Sequence, residues 1–282
     1  MRWRLGGLCL LAVLAASGQS HDQEEWIQLF NGENLDGWIP KVRGHETGVN
    51  FADTFRVKNG VMQVSYEGYD PPFNARFGHV FFERPYSYYR LAVEYRFVGE
   101  QVEGGPGWAV RNSGIMLHSP PPDSMRVDQT FPISIEVQLL GGDGERERTT
   151  MNLCTPGTNV VMNGRLEKRH CIQSSSKTYH GDQWVRAEVL VLGSAVIRHI
   201  AEGEVVLEYE MPQMGGGNVD GHDPAFKRDG ELLDGGYISL QSESHPMEVR
   251  KVELLNLAGC MDPDDPSYKS YFVKSESSAC RN

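Results

Sequence analysis

The segment PISIEVQLL at 132–140 alternates with a period of two, so that Ile133, Ile135, Val137 and Leu139 take one side and Ser134, Glu136 and Gln138 the other. Two more segments repeat the arrangement. In GYISLQSES at 236–244, Tyr237, Ser239, Gln241 and Glu243 oppose Ile238 and Leu240, and in NSGIMLHS at 112–119, Asn112, Met116 and His118 are in phase. A surface carrying Glu, Gln, Asn, His and Tyr suits a sugar, whose hydroxyls need convergent donors and acceptors and whose ring needs an aromatic face. The alternative is the solvated face of an antiparallel sheet, which alternates in the same manner. Glu136 is the first candidate for proton transfer, and His118 the second, because a free imidazole titrates near neutrality. Glu243 and His245 fall where a loop can present them to a pocket. Asn112, Gln138, Gln241, His245, Tyr237 and Arg250 are the candidate ligand-binding residues, with pairing to Glu243 as the structural alternative for Arg250.

Such side chains need strands to hold them, and the rest of the chain supplies little else. YYRLAVEYRF at 88–97 places Leu91, Val93, Tyr95 and Phe97 opposite Arg90, Glu94 and Arg96. FRVKNGVMQV at 55–64 reads as a hairpin about Asn59-Gly60, and AVIRHI at 195–200 pairs through Glu202-Gly203 with EVVLEYEM at 204–211. QWVRAEVLVL at 183–192 and MEVRKVELL at 247–255 are further strands. No segment sustains the helical period, so the fold class is all-β with few or no helices beyond the N-terminal leader. About ten closely spaced strands without a composition break predict one two-sheet antiparallel sandwich. The Gly-rich connection at 211–236 is long enough to be a functional or a disordered loop. Its Asp220, His222 and Asp223 could hold a divalent metal ion, or be merely solvated.

The chain of 282 residues opens with Arg2 and Arg4 ahead of an apolar run at 5–16, which reads as a secretory signal peptide cleaved near Ser20. That run is shorter than the roughly 20 residues of a membrane span, and no later segment approaches that length. Export predicts an oxidising compartment, periplasmic or extracellular, in which Cys154, Cys171, Cys260 and Cys280 form disulfides. Three pairings are open; nearest neighbours are expected, Cys154 with Cys171 and Cys260 with Cys280, each cross-link contributing about 3 kcal/mol. A metal site is the alternative, and no CxxC spacing supports it. The expected organisation is a leader at 1–20, a sandwich at 21–259 and a cross-linked tail at 260–282 that packs as an ordered flap. With 27 Lys and Arg against 38 Asp and Glu, the net charge of −11 argues against nucleic acid as a partner. Nucleophile-elbow, Walker, zincin and dinucleotide motifs are absent from the sequence.

Five strings in order, LFNGENLDGW at 29–38, RNSGIMLH at 111–118, IEVQLL at 135–140, QWVRAEVLV at 183–191 and GYISLQSESHPMEVRKVEL at 236–254, resemble the family long catalogued as domain of unknown function 1080. Its members are described as 3-keto-disaccharide hydrolases, 3-keto-glucoside 1,2-lyases and 3-keto-2-hydroxy-glucal hydratases with a concanavalin A-like jelly roll. The resemblance spans about 26–257 and implies that fold and a carbohydrate substrate oxidised at C3 by a separate oxidoreductase. A C3 carbonyl acidifies the C2 hydrogen, so a base can remove it, the C1 substituent leaves by β-elimination, and water adds to the resulting glycal. That route needs one base, donors at the enolate oxygen and an acid at the leaving oxygen, and no bound nicotinamide. Ordinary glycosidases need two carboxylates, and laminarinase-type jelly rolls carry E-x-D-x-E along one strand. Here the strand reads Ser134, Glu136, Gln138, and an amide is no proton donor, although Glu243 could restore a pair from elsewhere. The competing expectations are a noncatalytic carbohydrate-binding module and a structural protein of the cell envelope.

Overall fold

The structure, a computed structural model, describes residues 23–281, and the expected leader at 1–20 lies outside them. Where the sequence places Asn-Gly and Glu-Gly between alternating runs, tight turns form. Asn59 and Gly60 take φ of 55° and 78° between Phe55–Lys58 and Val61–Val64, and Glu202 and Gly203 take 50° and 88° between Val196–Ala201 and Glu204–Met214. Positive φ at both central positions matches the strand twist across a two-residue turn.

These hairpins belong to a ten-stranded sheet in which Tyr88–Phe97 lies between Val185–Leu192 and Met247–Asn256, antiparallel to both. A seven-stranded sheet faces it, with neighbours in the order Cys171–Ile172, Asn152–Cys154, Ile135–Leu140, Asn112–Ser119, Tyr237–Ser242, Gly78–Phe82 and Trp38–Val42. The two form an all-β sandwich of jelly-roll type, and among the described residues the only helical elements are three-residue 3₁₀ turns. The core between the sheets takes Leu91, Val93, Tyr95 and Phe97 from one and Ile115, Leu117, Ile135, Val137, Leu139 and Leu240 from the other. Alternation in the sequence therefore predicts the core-facing set.

Two stretches read differently. All five residues of Gly78–Phe82 are buried, so this strand carries no alternation to betray it. Arg250 lies on the outer face of the ten-stranded sheet, away from the core, where its Nε donates to Glu94 at 2.5 Å and its guanidinium stacks on Trp184 at 4.6 Å. Arg186 bridges Glu94, Glu188 and Glu253 on that face, which makes Arg250 part of a surface ion-pair lattice rather than a ligand contact, its partner being Glu94 and not Glu243.

Both nearest-neighbour disulfides form, Cys154–Cys171 and Cys260–Cys280. The second closes a tail whose Lys274–Ser275 pairs in parallel with Ala258–Gly259. The two bonds agree with the expected export, and no helix among the described residues is long and apolar enough to cross a membrane. Leu91, fully buried between the sheets, supplies a test of the shared core: Leu91→Ala should lose about 2–5 kcal/mol in denaturant unfolding, whereas a loss below 1 kcal/mol would place this residue outside a packed interior.

Candidate functional site

Since Ile115, Val137, Leu139 and Leu240 point into the core, their strand neighbours emerge on the opposite face of the seven-stranded sheet. Cross-strand registers align Met116, Glu136 and Cys154 in one row and Gly114, Gln138 and Asn152 in the next, while Gln241 sits across from His79. Above this floor lies a cleft of about 500 Å³, within the roughly 300–1,000 Å³ of ligand sites. Asn112, Glu136, Gln138 and Glu243 reach into it from the strands. Phe77, Trp108 and Phe131 bound one side, the Cys154–Cys171 disulfide, Pro156 and His170 lie toward the other edge of the sheet, and Thr130, Asn218 and Asp220 complete the lining.

Glu136 and Glu243 are both buried, and no salt bridge among the described residues involves either. Loss of water pushes both carboxyls above the usual carboxylate range, and for Glu243 the charge of Glu136 adds to the effect. Two carboxyls that interact in one desolvated site resist ionising together, so at neutral pH at least one proton stays on the pair. Gly114 makes room for it: a methyl there would lie 2.8 Å from Glu136 Cγ and Oε1. Glu243 is aimed by the turn that follows. Ser244 takes φ of 99°, a cost of order 1–3 kcal/mol for a non-glycine residue, and is held on three sides. Its N–H donates to Tyr66 Oη at 2.7 Å, its carbonyl accepts from Val102 N–H at 2.9 Å, and its hydroxyl accepts from Gln101 Nε2 at 2.8 Å.

The amides beside the pair are set for a ligand. Asn152 donates from Nδ2 to Gln138 Oε1 at 3.0 Å and is itself fixed through Oδ1 by Thr149 and Ser174, so Gln138 turns its amino group away from Asn152. Asn112 Oδ1 and Glu243 Oε2, on residues that line the cleft, are buried with no protein partner, as are Gln241 Oε1 and Nε2 and His79 Nε2 on the same sheet, although Gln241 and His79 are buried out of the cleft lining. Buried polar groups are normally hydrogen-bonded, and a cluster of them on one face is what a polyhydroxylated ligand satisfies.

Other expected site residues lie elsewhere. Alternation put His118 in phase with Asn112 and Met116, but the register slips between Ser239↔Met116 and Tyr237↔Ser119. One extra residue is thereby fitted into the His118 strand, and His118 takes φ of 56°. Such a bulge re-aims a side chain. Its imidazole lies near Gly193 and Asp234, pushed down to about 4 chiefly by burial, and is not part of the cleft. Tyr237 is at the end of its strand remote from Glu243. His245 packs against Phe97, ring centroids 5.7 Å apart, pushed down to about 4 by burial and by the nearby Arg111 and Arg148; it supports the turn behind Glu243 without lining the cleft. Of the candidate metal ligands, Asp220 reaches the cleft, His222 Nδ1 is 3.1 Å from the Val219 carbonyl, and Asp223 caps Ala225 N–H at 2.9 Å. They do not converge on one point, and the groups that do, Cys154 with His170 and Cys171, and Cys260 with Asp265 and Cys280, have their sulfurs in disulfides.

Sequence reasoning missed the walls. Phe77, Trp108 and Phe131 come from loops, where no period marks them, and His170 escapes notice except as the neighbour of Cys171. Trp108 stacks on Phe77 at 5.8 Å and Phe131 tilts against it at 5.1 Å, so the site has the aromatic surface that the strand faces alone lack.

The sequence profile of a 3-keto-alpha-glucoside-1,2-lyase-like domain matches residues 25–255. No curated protein matches the chain. Among solved structures, a candidate glycosyl hydrolase of Parabacteroides distasonis is 13% identical with a TM-score of 0.49 over 83% of this chain and 100% of that one. A Bacillus licheniformis β-glucanase is 12% identical at 0.45, covering 83% and 98%, respectively. A carbohydrate binding module of Bacillus subtilis is 9% identical at 0.37, covering 64% and 82%.

The buried pair makes stability depend on pH. Both carboxyls bind protons more tightly folded than unfolded, so the stability they contribute is complete below the ordinary carboxylate range and is lost as pH rises through their raised values. Glu243→Gln removes one of them. By calorimetry the variant should melt at least about 3 °C above the wild type near pH 8 and converge with it near pH 4; an offset equal at both pH values would contradict a desolvated pair that resists ionisation.

Proposed function

We infer, from the premise that this chain belongs to the 3-keto-alpha-glucoside-1,2-lyase-like family, that its carbohydrate-active domain cleaves 3-keto glycosides by elimination across C1 and C2. The observation that carries the reading is that Glu136 and Glu243 interact within one desolvated cleft, because a carboxylate and a carboxylic acid in one site are the base and the acid that the reaction requires.

In this reading Glu243, whose ionisation the Glu136 charge further opposes, keeps its proton and serves as the acid, and the ionised form of Glu136 is the base. Glu136 takes the proton from C2, and the electron pair of the C2–H bond delocalises onto the C3 oxygen as an enolate. When that charge returns, C1=C2 forms, the C1–O bond breaks, and Glu243 protonates the departing oxygen. Water can then add across C1=C2, its hydroxyl to C1 and its proton to C2, regenerating a 3-keto sugar. Gln138 Nε2 and Asn112 are the groups placed to hold the sugar hydroxyls and the enolate oxygen, where fixed dipoles in a dry site contribute most. The substrate carbonyl has to be installed by a separate oxidoreductase, which is the functional partner this reading implies.

A second reading has its own support: an aromatic ledge of Phe77, Trp108 and Phe131 is also what a noncatalytic sugar-binding module uses. Turnover separates the two. With a 3-keto glucoside in deuterated water, the wild type should exchange or eliminate at C2, and Glu136→Gln should slow this by about 10³-fold or more while retaining the fold. Binding with neither exchange nor elimination would leave the module, and an undiminished Glu136→Gln would remove Glu136 from the mechanism.

A further inference from the structure

We propose that the mouth of the cleft is a leaving-group subsite for flat, aromatic aglycones that carry no negative charge. This rests on the elimination reading and names its substrate class.

The shape of the walls is the first support. Trp108 is 55% exposed, yet its ring is not loose. Phe77 backs it at an interplanar angle of 27°, and Phe131 continues the surface at 34° to Phe77. The 3₁₀ turn that carries the indole, Gly107–Ala109, is tied down, because the Trp108 carbonyl accepts from Asn112 Nδ2 at 3.3 Å and from Arg148 Nη2 at 3.5 Å. The ledge is thus fixed to a floor residue of the same cleft. At the other edge of the floor stand the Cys154–Cys171 disulfide and Pro156, side chains with no strong donor or acceptor, with His170 as the polar group beside them. Two largely apolar walls accept an aromatic ring and offer only this imidazole to the hydroxyls of a second sugar. The floor, by contrast, is polar and suits the sugar itself, and the cleft volume exceeds what one monosaccharide fills.

Charge is the second support. Glu136, Glu243 and Asp220 line the cleft, and among the described residues no lysine or arginine does, the nearby Arg148 being engaged by backbone carbonyls. An anionic aglycone would enter a site whose walls are of low dielectric and whose acidic groups have its own sign, with no cation in the lining to offset the repulsion. A neutral ring meets no such barrier.

The test uses three 3-keto glucosides that differ only at C1: methyl, phenyl and 4-carboxyphenyl. The wild type should prefer phenyl over methyl by about tenfold in kcat/KM, the worth of one good aromatic stack, and Trp108→Ala should bring that ratio toward one. Carboxyphenyl should fall below phenyl by about tenfold, and Asp220→Asn should narrow the gap. The same series is measured as Kd on Glu136→Gln. Should none of the three turn over while the Kd order holds, the elimination reading fails and the subsite stands. Turnover with a phenyl-to-methyl ratio that Trp108→Ala leaves unchanged, or with carboxyphenyl as good as phenyl, overturns the subsite and spares the chemistry.

Discussion

Two carboxyl groups removed from water in the same hollow are the constraint from which the rest follows. Glu136 rises from near the start of one strand, Glu243 comes from just beyond the end of another, and Gly114, on the strand that runs between these two strands, leaves room for the Glu136 side chain. With no salt bridge among the described residues to compensate them, their joint ionisation is disfavoured, and that electrostatic cost gives the site its acid and its base at once. A protein selected for stability alone would have replaced at least one of them; retaining both is the kind of local expense that active sites carry.

The surrounding fold supplies what such a pair needs. Twin sheets with a wide shared core give a rigid floor, so Glu136 is placed by strand register, and Glu243 by the turn that ends its strand. The strained Ser244 is tolerable because Tyr66, Val102 and Gln101 all bind it. The disulfide does double service: Cys154 is the cross-strand neighbour of Glu136, and its bond to Cys171 holds the edge strand that brings His170 to the rim. Oxidising conditions are thus built into the site wall and not only into overall stability.

Legibility in the sequence followed the periodicities. Hairpins at Asn59-Gly60 and Glu202-Gly203, the core faces of the long strands and the floor residues Glu136, Gln138, Gln241 and Asn112 could be read, because alternation records which side of a sheet is covered. The strand Gly78–Phe82 could not, since both of its faces are buried and the pattern vanishes. His118 was misplaced for a related reason: one extra residue in its strand shifts the phase, and nothing in NSGIMLHS marks the bulge. Arg250 sits at a bulge of its own strand and faces a ladder of glutamates on the other sheet, a partner set that only tertiary structure reveals. The pairing of Glu243 with Glu136 was visible as an option and no more, because the two are far apart in the chain. Trp108, Phe77 and Phe131 lie in loops, where composition carries no positional signal.

The most direct measurement of the central claim is a titration of the glutamate carboxyls by carbon NMR in protein labelled at Glu Cδ. Both carboxyls should titrate above about pH 6, well clear of the ordinary range, and replacing Glu136 or Glu243 by glutamine should remove one of the two resonances while burial keeps the other raised. If every glutamate titrates between about pH 3.5 and 5, the two carboxyls are hydrated and independent, and the account of the site is wrong.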